Sequence, residues 1–315
     1  MRTLQILFDK RQPLFVPFQF FKALLLRKHI RKATIPLQIF VLITVDVENS
    51  WGDEEQESQK ENEIFFKKFL GIREKNTTFF LPGNLVADLK TTLKQLADEN
   101  ELGLHGHHHE LWRSAHFVEK KAIKDKEKKE LIVNSLSEFK RSDLNRPTSF
   151  RAPYMWLKNT DLKLLEEMGF KLDSSDRSQN GMYKIRKEGK ILRIPVTVNP
   201  FPHFKKKDGL IFTKFRLFNL KIFNELKNAE LYEYINQILR MQIYLKLIPH
   251  LVFIAHPWEF YGRGDLEKDD NFNHRGAKNY KVLKTKLRLL ENRYNVKYLT
   301  VSQFKELYEN EDHFY

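Results

Sequence analysis

Short apolar runs alternate with longer amphipathic stretches along most of the chain. The run at 39–46, IFVLITVD, shows none of the apolar–polar alternation of a half-exposed strand. It reads as a strand buried on both faces, the habit of a parallel sheet. Similar runs stand at 77–81, 102–104, 147–151, 170–173, 191–198, 251–255 and 296–301. Pro195 marks the 191–198 run as an edge or irregular strand. Between these runs, spacing near 3.6 predicts helices. A short one covers 64–70. The next runs from an Asn84 cap through 99, with a stripe of Leu85, Leu89, Leu93 and Leu96. A charged helix covers 117–140, and another starts at an Asn159 cap and closes at Gly169. One long helix covers 218–247, one 277–293, and a last one ends the chain. The stretches 49–63, 199–216 and 260–276 read as loops, the second an aromatic, basic insertion. Seven or eight strand–helix units predict a mostly parallel sheet with helices outside, closed or nearly closed into a barrel. We see no internal repeat and no linker, so 37–315 is expected to be one domain and 1–36 an N-terminal extension.

Composition narrows the chemistry. The chain has 315 residues, 41% of them hydrophobic, 26 of them Phe and none Cys. Disulfides and thiolate metal sites are therefore excluded, and a metal must use His, Asp, Glu or water. The formal net charge of +14 favours acidic partners. No nucleic-acid recognition module appears, so a nucleic-acid partner is not expected. No apolar run is long enough to cross a membrane. The stretch 15–26, FVPFQFFKALLL, followed by RKHIRK, suits an amphipathic helix that either packs on the domain or rests on an anionic membrane surface. We expect a cytoplasmic protein, peripheral at the inner membrane face if that helix docks there.

The polar clusters lie where strands end, which is where parallel α/β folds build their sites. The tract ELGLHGHHHE at 101–110 carries four of the eleven histidines. His105 and His109 are four apart, which on a helical turn puts two imidazoles about 5–6 Å apart at Cβ. Asp46 and Glu48 are two apart, so on a strand both face the same way. One carboxylate and two histidines form a common catalytic zinc set with a position left for water and substrate. The other carboxylate is then free to take a proton. His256, ending the run LVFIAHP, is placed to serve as an acid. Such a site suits hydrolysis of an amide or ester.

The ordered set TVDVE (44–48), TTFFLPG (77–83), LHGHHH (104–109), RAPY (151–154), DSS (173–175) and IAHP (254–257) resembles the polysaccharide deacetylases, the NodB-homology group or carbohydrate esterase family 4. The resemblance spans about 39–305. It implies a distorted (β/α)7 barrel and a divalent metal, usually zinc, that serves removal of acetyl groups from N-acetylated sugars. It implies Asp46 as base, His105 and His109 as metal ligands, and Arg151 as the arginine orienting the base. It further implies Asp173 as the acid partnering that arginine, the backbone N–H of Tyr154 as oxyanion donor, and His256 as general acid. The family's usual adjacent pair of aspartates is interrupted here by Val47. The metal carboxylate is then Glu48, unless Glu48 cannot reach and Asp46 replaces it. Trp156 and Trp258 either line a sugar-binding groove or belong to the core. The expected partner is an N-acetylated glycan or a lipid- or nucleotide-linked sugar precursor. The alternatives are a small-molecule amidohydrolase and a catalytically inactive glycan-binding barrel.

Overall fold

The computed structural model describes residues 30, 32–48, 55–73, 75–114, 121–178, 185–199, 201, 203–207, 210–214, 216–261 and 275–310. The proposed N-terminal helix and most of 1–36 lie outside these residues. Strand β1 (Gln38–Asp46) is buried at every position after the first, as its unbroken apolar run requires. It pairs in parallel with β2 (Thr77–Leu81) and β10 (His250–Ala255). From β2 the sheet continues through β3 (Glu101–Leu104), β4 (Ser149–Phe150), β5 (Leu172–Asp173), β7 (Ile191–Arg193) and β6 (Arg186–Glu188). The last pairing, β6 with β7, is antiparallel. Strand β11 (Asn295–Tyr298) pairs with the first half of β1. The result is a curled, mostly parallel nine-stranded sheet of the distorted (β/α)7-barrel type.

The chain bridges the side between β7 and β10 without a regular ladder. Val196 bridges Arg177, Val198 bridges Leu217, and Asn219 bridges Ile254. Thr197 N–H donates to Val252 O at 3.2 Å, while Thr197 Oγ1 accepts from Val252 N–H at 2.8 Å. The regular pairing of β7 stops before Pro195, which has no N–H to give. β7 is nevertheless not an edge strand, because the unforeseen β6 covers it. The insertion 199–216 contains a separate hairpin of β8 (His203–Lys207) and β9 (Leu210–Lys214).

The helices differ from expectation at their ends. Helix α1 (Glu55–Leu70) takes in much of the expected loop, since its Glu, Gln and Lys residues are good helix formers. Its Phe65, Phe66 and Phe69 pack edge-on or tilted against one another, Phe79 and Phe260. Asn84 does not cap a helix. Gly83 N–H and Asn84 N–H bond to Gly106 O and His107 O, so that turn is tied to the histidine tract. Helix α2 (Lys90–Ala97) starts only afterwards. Helix α3 (Asp125–Arg141) follows β3. Helix α4 (Asn159–Glu167) begins at Asn159, with Lys158 as its cap, and ends before Gly169, whose φ of +80° suits glycine. The expected 218–247 helix is two: α5 (Leu220–Glu225), capped by Asn219, and α6 (Asn228–Tyr244), separated by extended Leu226. Helices α7 (Lys278–Arg293) and α8 (Val301–Asn310) complete the fold. No described helix is long and apolar enough to cross a membrane.

Candidate active site

Asp46 ends β1, His105 follows β3, Arg151 follows β4, Asp173 ends β5 and His256 follows β10. Parallel pairing brings these C-terminal ends to one mouth. Glu48 is its centre. One Glu48 oxygen, Oε1, lies 2.9 Å from His109 Nε2, 3.2 Å from His105 Nε2 and 3.8 Å from His256 Nε2. The other oxygen accepts from Trp258 Nε1 at 3.4 Å.

The two histidines meet, but not on a helix. Residues 105–114 form an irregular loop that turns at Gly106 (φ +75°) and His109 (φ +56°). Glu110 folds it by accepting from His107 N–H, His108 N–H and the Trp112 indole. A Cβ on Gly106 would stand 2.8 Å from Glu110 Oε1, so the loop needs glycine there. The imidazoles of His105 and His109 end 5.2 Å apart between ring centres. His107 bonds to Ser135 instead, and His108 is exposed.

Asp46 stands back from this group. Its Oδ1 accepts from Arg151 Nη1 at 2.6 Å, and its Oδ2 lies 4.0 Å from His105 Nε2. Arg151 is fully buried and also donates to Thr44 Oγ1, Ser174 O and Ser174 Oγ. The expected Arg151–Asp173 pair does not form. Asp173 pairs with Arg193, Nε to Oδ2 at 2.8 Å, and takes the N–H and O–H of Ser175 on its other oxygen. Arg193 is the in-register neighbour of Asp173 on the adjoining strand, which is why it wins. Ser175 Oγ in turn accepts from Ala152 N–H at 2.7 Å, just before the turn of Tyr154 (φ +59°) and Met155 (φ +52°). The Tyr154 ring lies 4.7 Å from His109.

His256 stacks on Trp258 at 4.8 Å and points Nδ1 at Glu259 Oε2, 3.2 Å away. Trp156 is not a groove wall. It is 6% exposed, its indole N–H donates to Ser114 O, and Arg113 lies over its ring. Sequence reasoning missed Thr44, Ser174, Glu110 and Glu259. Two of these were signalled: Thr44 shares a strand face with Asp46, and Glu259 follows His256 by three, a helix-start spacing.

Burial pushes the Glu48 carboxyl up, but His109, His256 and His105 outweigh it and hold it well below the ordinary carboxylate range. Burial opposes charge on His256, yet Glu48, Glu259 and Asp46 raise it to about 9. Burial likewise opposes charge on His105, and Asp46 and Glu48 more than offset it. The Nδ1 of His105 faces the Arg151 carbonyl at 2.8 Å. A carbonyl only accepts, so that nitrogen carries a proton; Nε2 donates to Glu48 when the ring is charged and offers its lone pair to a metal when the ring is neutral. Glu48, His105 and His109 thus present one carboxylate oxygen and two imidazole nitrogens within 4.8 Å of one another, a donor set that fits a divalent metal such as zinc.

The polysaccharide deacetylase family model matches residues 67–172, about a third of the chain. That segment holds the histidine tract and RAPY but stops short of Asp173 and excludes Asp46, Glu48 and His256, whose placement rests on the geometry above. A protein from Mycobacterium smegmatis, assigned by name to the polysaccharide deacetylases, shares the fold with a TM-score of 0.54 at 16% identity, over 87% of this chain and 91% of that one. PuuE allantoinase shares it with a TM-score of 0.57 at 12% identity, over 88% and 92%. No curated protein matches the chain in sequence. The chain therefore resembles the polysaccharide deacetylases in sequence over 67–172 and in fold over most of its length.

Proposed function

We propose that the chain is a metal-dependent hydrolase that removes N-acetyl groups from a glycan or a sugar precursor. One observation carries this reading: the two carboxylates of the mouth have different hydrogen-bond partners. Glu48 meets the two imidazoles, and Asp46 meets Arg151. Glu48, His105 and His109 would hold the metal, which supplies a Lewis acid that polarises a carbonyl and lowers the pKa of water. Arg151 fixes Asp46 through Oδ1 and leaves Oδ2 facing His105. From there Asp46 takes the proton of the attacking water. The Tyr154 backbone N–H, in its left-handed turn, serves the charge that develops on the substrate oxygen. His256 keeps Nδ1 on Glu259 and gives a proton from Nε2 to the departing amine.

The test is metal content and acetate release from N-acetylated sugars, for wild type and Asp46→Asn. One metal per chain, acetate from wild type and none from the variant support the reading. Acetate release retained by Asp46→Asn, or no metal uptake, overturns it. A second reading, hydrolysis of a small amide, draws on the covered ring faces of Trp156 and Trp258, which leave less room for stacked sugars. Ureides and other small amides belong in the same assay. Sugar binding with metal bound and no turnover would instead mark an inactive glycan-binding barrel.

A further inference from the structure

Arg151 is a fully buried guanidinium with one carboxylate, Asp46, at ion-pair distance among the described residues. The second carboxylate expected of it, Asp173, belongs to Arg193. The other hydrogen bonds of Arg151 go to neutral oxygens. Nη1 donates to Thr44 Oγ1 at 2.8 Å as well as to Asp46. Nη2 donates to Ser174 Oγ at 2.8 Å, and Nε donates to Ser174 O at 3.0 Å. The Phe80 ring centre lies 4.3 Å from the guanidinium carbon.

A hydroxyl has one proton and two lone pairs, so it fixes an arginine best when its own proton is committed elsewhere. Both protons are committed here. Thr44 Oγ1 donates to Phe253 O on β10 at 2.6 Å, and Ser174 Oγ donates to Ile194 O, just past β7, at 2.9 Å. Each oxygen is thereby turned with a lone pair toward Arg151. The anchors of this one guanidinium come from β1, the end of β5, the end of β7 and β10.

Asp46 depends on that arrangement. Among the described residues, Arg151 is the one hydrogen-bond partner of its side chain, through Oδ1, and Oδ2 stands 4.0 Å from His105 Nε2. The last torsion of an aspartate has a broad, shallow preference, so a carboxylate held at one oxygen keeps its direction only if its donor is immobile.

Resting on the deacetylase reading, we infer that Thr44 and Ser174 are positioning residues for the base: they immobilise Arg151 and, through it, hold Oδ2 of Asp46 toward the attacking water. Two neutral hydroxyls serve where the Asp173 carboxylate was expected, which leaves Asp46 as the single carboxylate that Arg151 meets.

The test separates hydroxyl from volume. Thr44→Val keeps the shape of the side chain and loses the hydroxyl, whereas Thr44→Ser keeps the hydroxyl and loses a methyl group. Ser174→Ala removes the second hydroxyl. Acetate release from tetra-N-acetylchitotetraose is measured with the zinc-loaded full chain. Thr44→Val and Ser174→Ala should lower kcat about 10–100-fold, the scale of a misplaced catalytic group, with KM and zinc content unchanged. Thr44→Ser should keep most of the wild-type kcat, although the methyl-sized cavity it leaves lowers the melting temperature. A merely structural role would instead rank the variants by stability, and a kcat loss in Thr44→Ser as large as in Thr44→Val overturns the inference.

A second arm needs neither metal nor turnover. Proton–nitrogen correlation spectra of the arginine-labelled chain should show slowly exchanging guanidinium protons that Arg151→Lys removes. Thr44→Val and Ser174→Ala should speed their exchange, and Thr44→Ser should not. Unchanged exchange in both hydroxyl-free variants overturns the inference, as does faster exchange with wild-type kcat. Absence of acetate release from wild type sinks the deacetylase reading, and the exchange rates then decide by themselves whether the two hydroxyls hold Arg151 on Asp46.

Discussion

Two buried histidines sit at opposite ends of the sheet and share the same local lock. His105 follows β3 at the mouth, and His250 opens β10 at the far end. Each is at most 2% exposed, and each directs Nδ1 to a backbone carbonyl, Arg151 O at 2.8 Å and Ile248 O at 2.7 Å. Their proton affinities part in opposite directions. Burial drives His250 down to about 4. His105 is as deeply buried but moves up, because Asp46 and Glu48 face it. His250 has an aromatic neighbour instead, Phe304 at 4.9 Å, and Gln242 pairs with its backbone N–H and C=O as a neighbouring strand would. Burial and a carbonyl lock therefore make a structural histidine. It is the carboxylates beyond Nε2 that set His105 apart and make it a candidate ligand.

The strongest way to break this comparison is to delete each ring in turn. His105→Ala should abolish metal retention and reduce acetate release to background, since two donors do not hold a catalytic zinc. His250→Ala should keep one metal per chain and near wild-type turnover, with only stability reduced. Metal analysis after dialysis reads both, and metal loss in the His250 variant would end the distinction. Next in size is Asp46→Asn, which keeps Glu48 and both histidines. Turnover should fall by about 10²–10⁴-fold, the usual contribution of a general base, with metal content unchanged.

The same contrast predicts an acid-sensitive fold. His250 is neutral when folded, while its unfolded counterpart takes a proton near pH 6.5. Between pH 6.5 and about 4 the unfolded chain binds the extra proton, so stability falls as pH falls through that window. The loss is on the order of 3 kcal/mol and should level off below the folded value. Urea midpoints at pH 7 and pH 4 for wild type and His250→Gln isolate the effect, because the other titrating groups are common to both. An equal acid loss in the variant would show that His250 is not its source.

How much of this was legible in the sequence follows from what each feature depends on. The strands were legible because a doubly buried strand such as β1 must be an unbroken apolar run, and the ends of those runs carried the polar groups of the mouth. Asp46 and Glu48 were legible as a pair by their spacing of two. Their different hydrogen-bond partners were not, since those come from the segments that follow β4 and β3. The Asp173–Arg193 pair was hidden for the same reason: it depends on the register of β5 with β7. The four-residue spacing of His105 and His109 suggested a helix, but Gly106 between them was the sign of a turn, and its positive φ is what the loop uses. The covered state of Trp156 depends on Arg113 and Ser114, both on a loop that periodicity does not describe.

The smallest effect on the list concerns how that loop is held. Glu110 touches neither His105 nor His109 in any hydrogen bond described, yet it gathers the N–H groups of His107 and His108 and the indole of Trp112. Trp112 is fully buried against Phe150, so Glu110 fastens the histidine tract to the core beneath it. Glu110→Ala leaves three donors without that acceptor, one of them the indole N–H of a fully buried ring, at about 1–3 kcal/mol for each buried donor left unsatisfied. Part of this should appear as looser spacing of the two ligands, lowering zinc affinity about tenfold without removing it. A competitive chelator titration measures the shift, and Glu110→Gln, which keeps an acceptor oxygen, should recover part of it. Unchanged zinc affinity in Glu110→Ala would mean that Gly106 and the bonds from Gly83 and Asn84 already fix the loop, and that its glutamate serves stability alone.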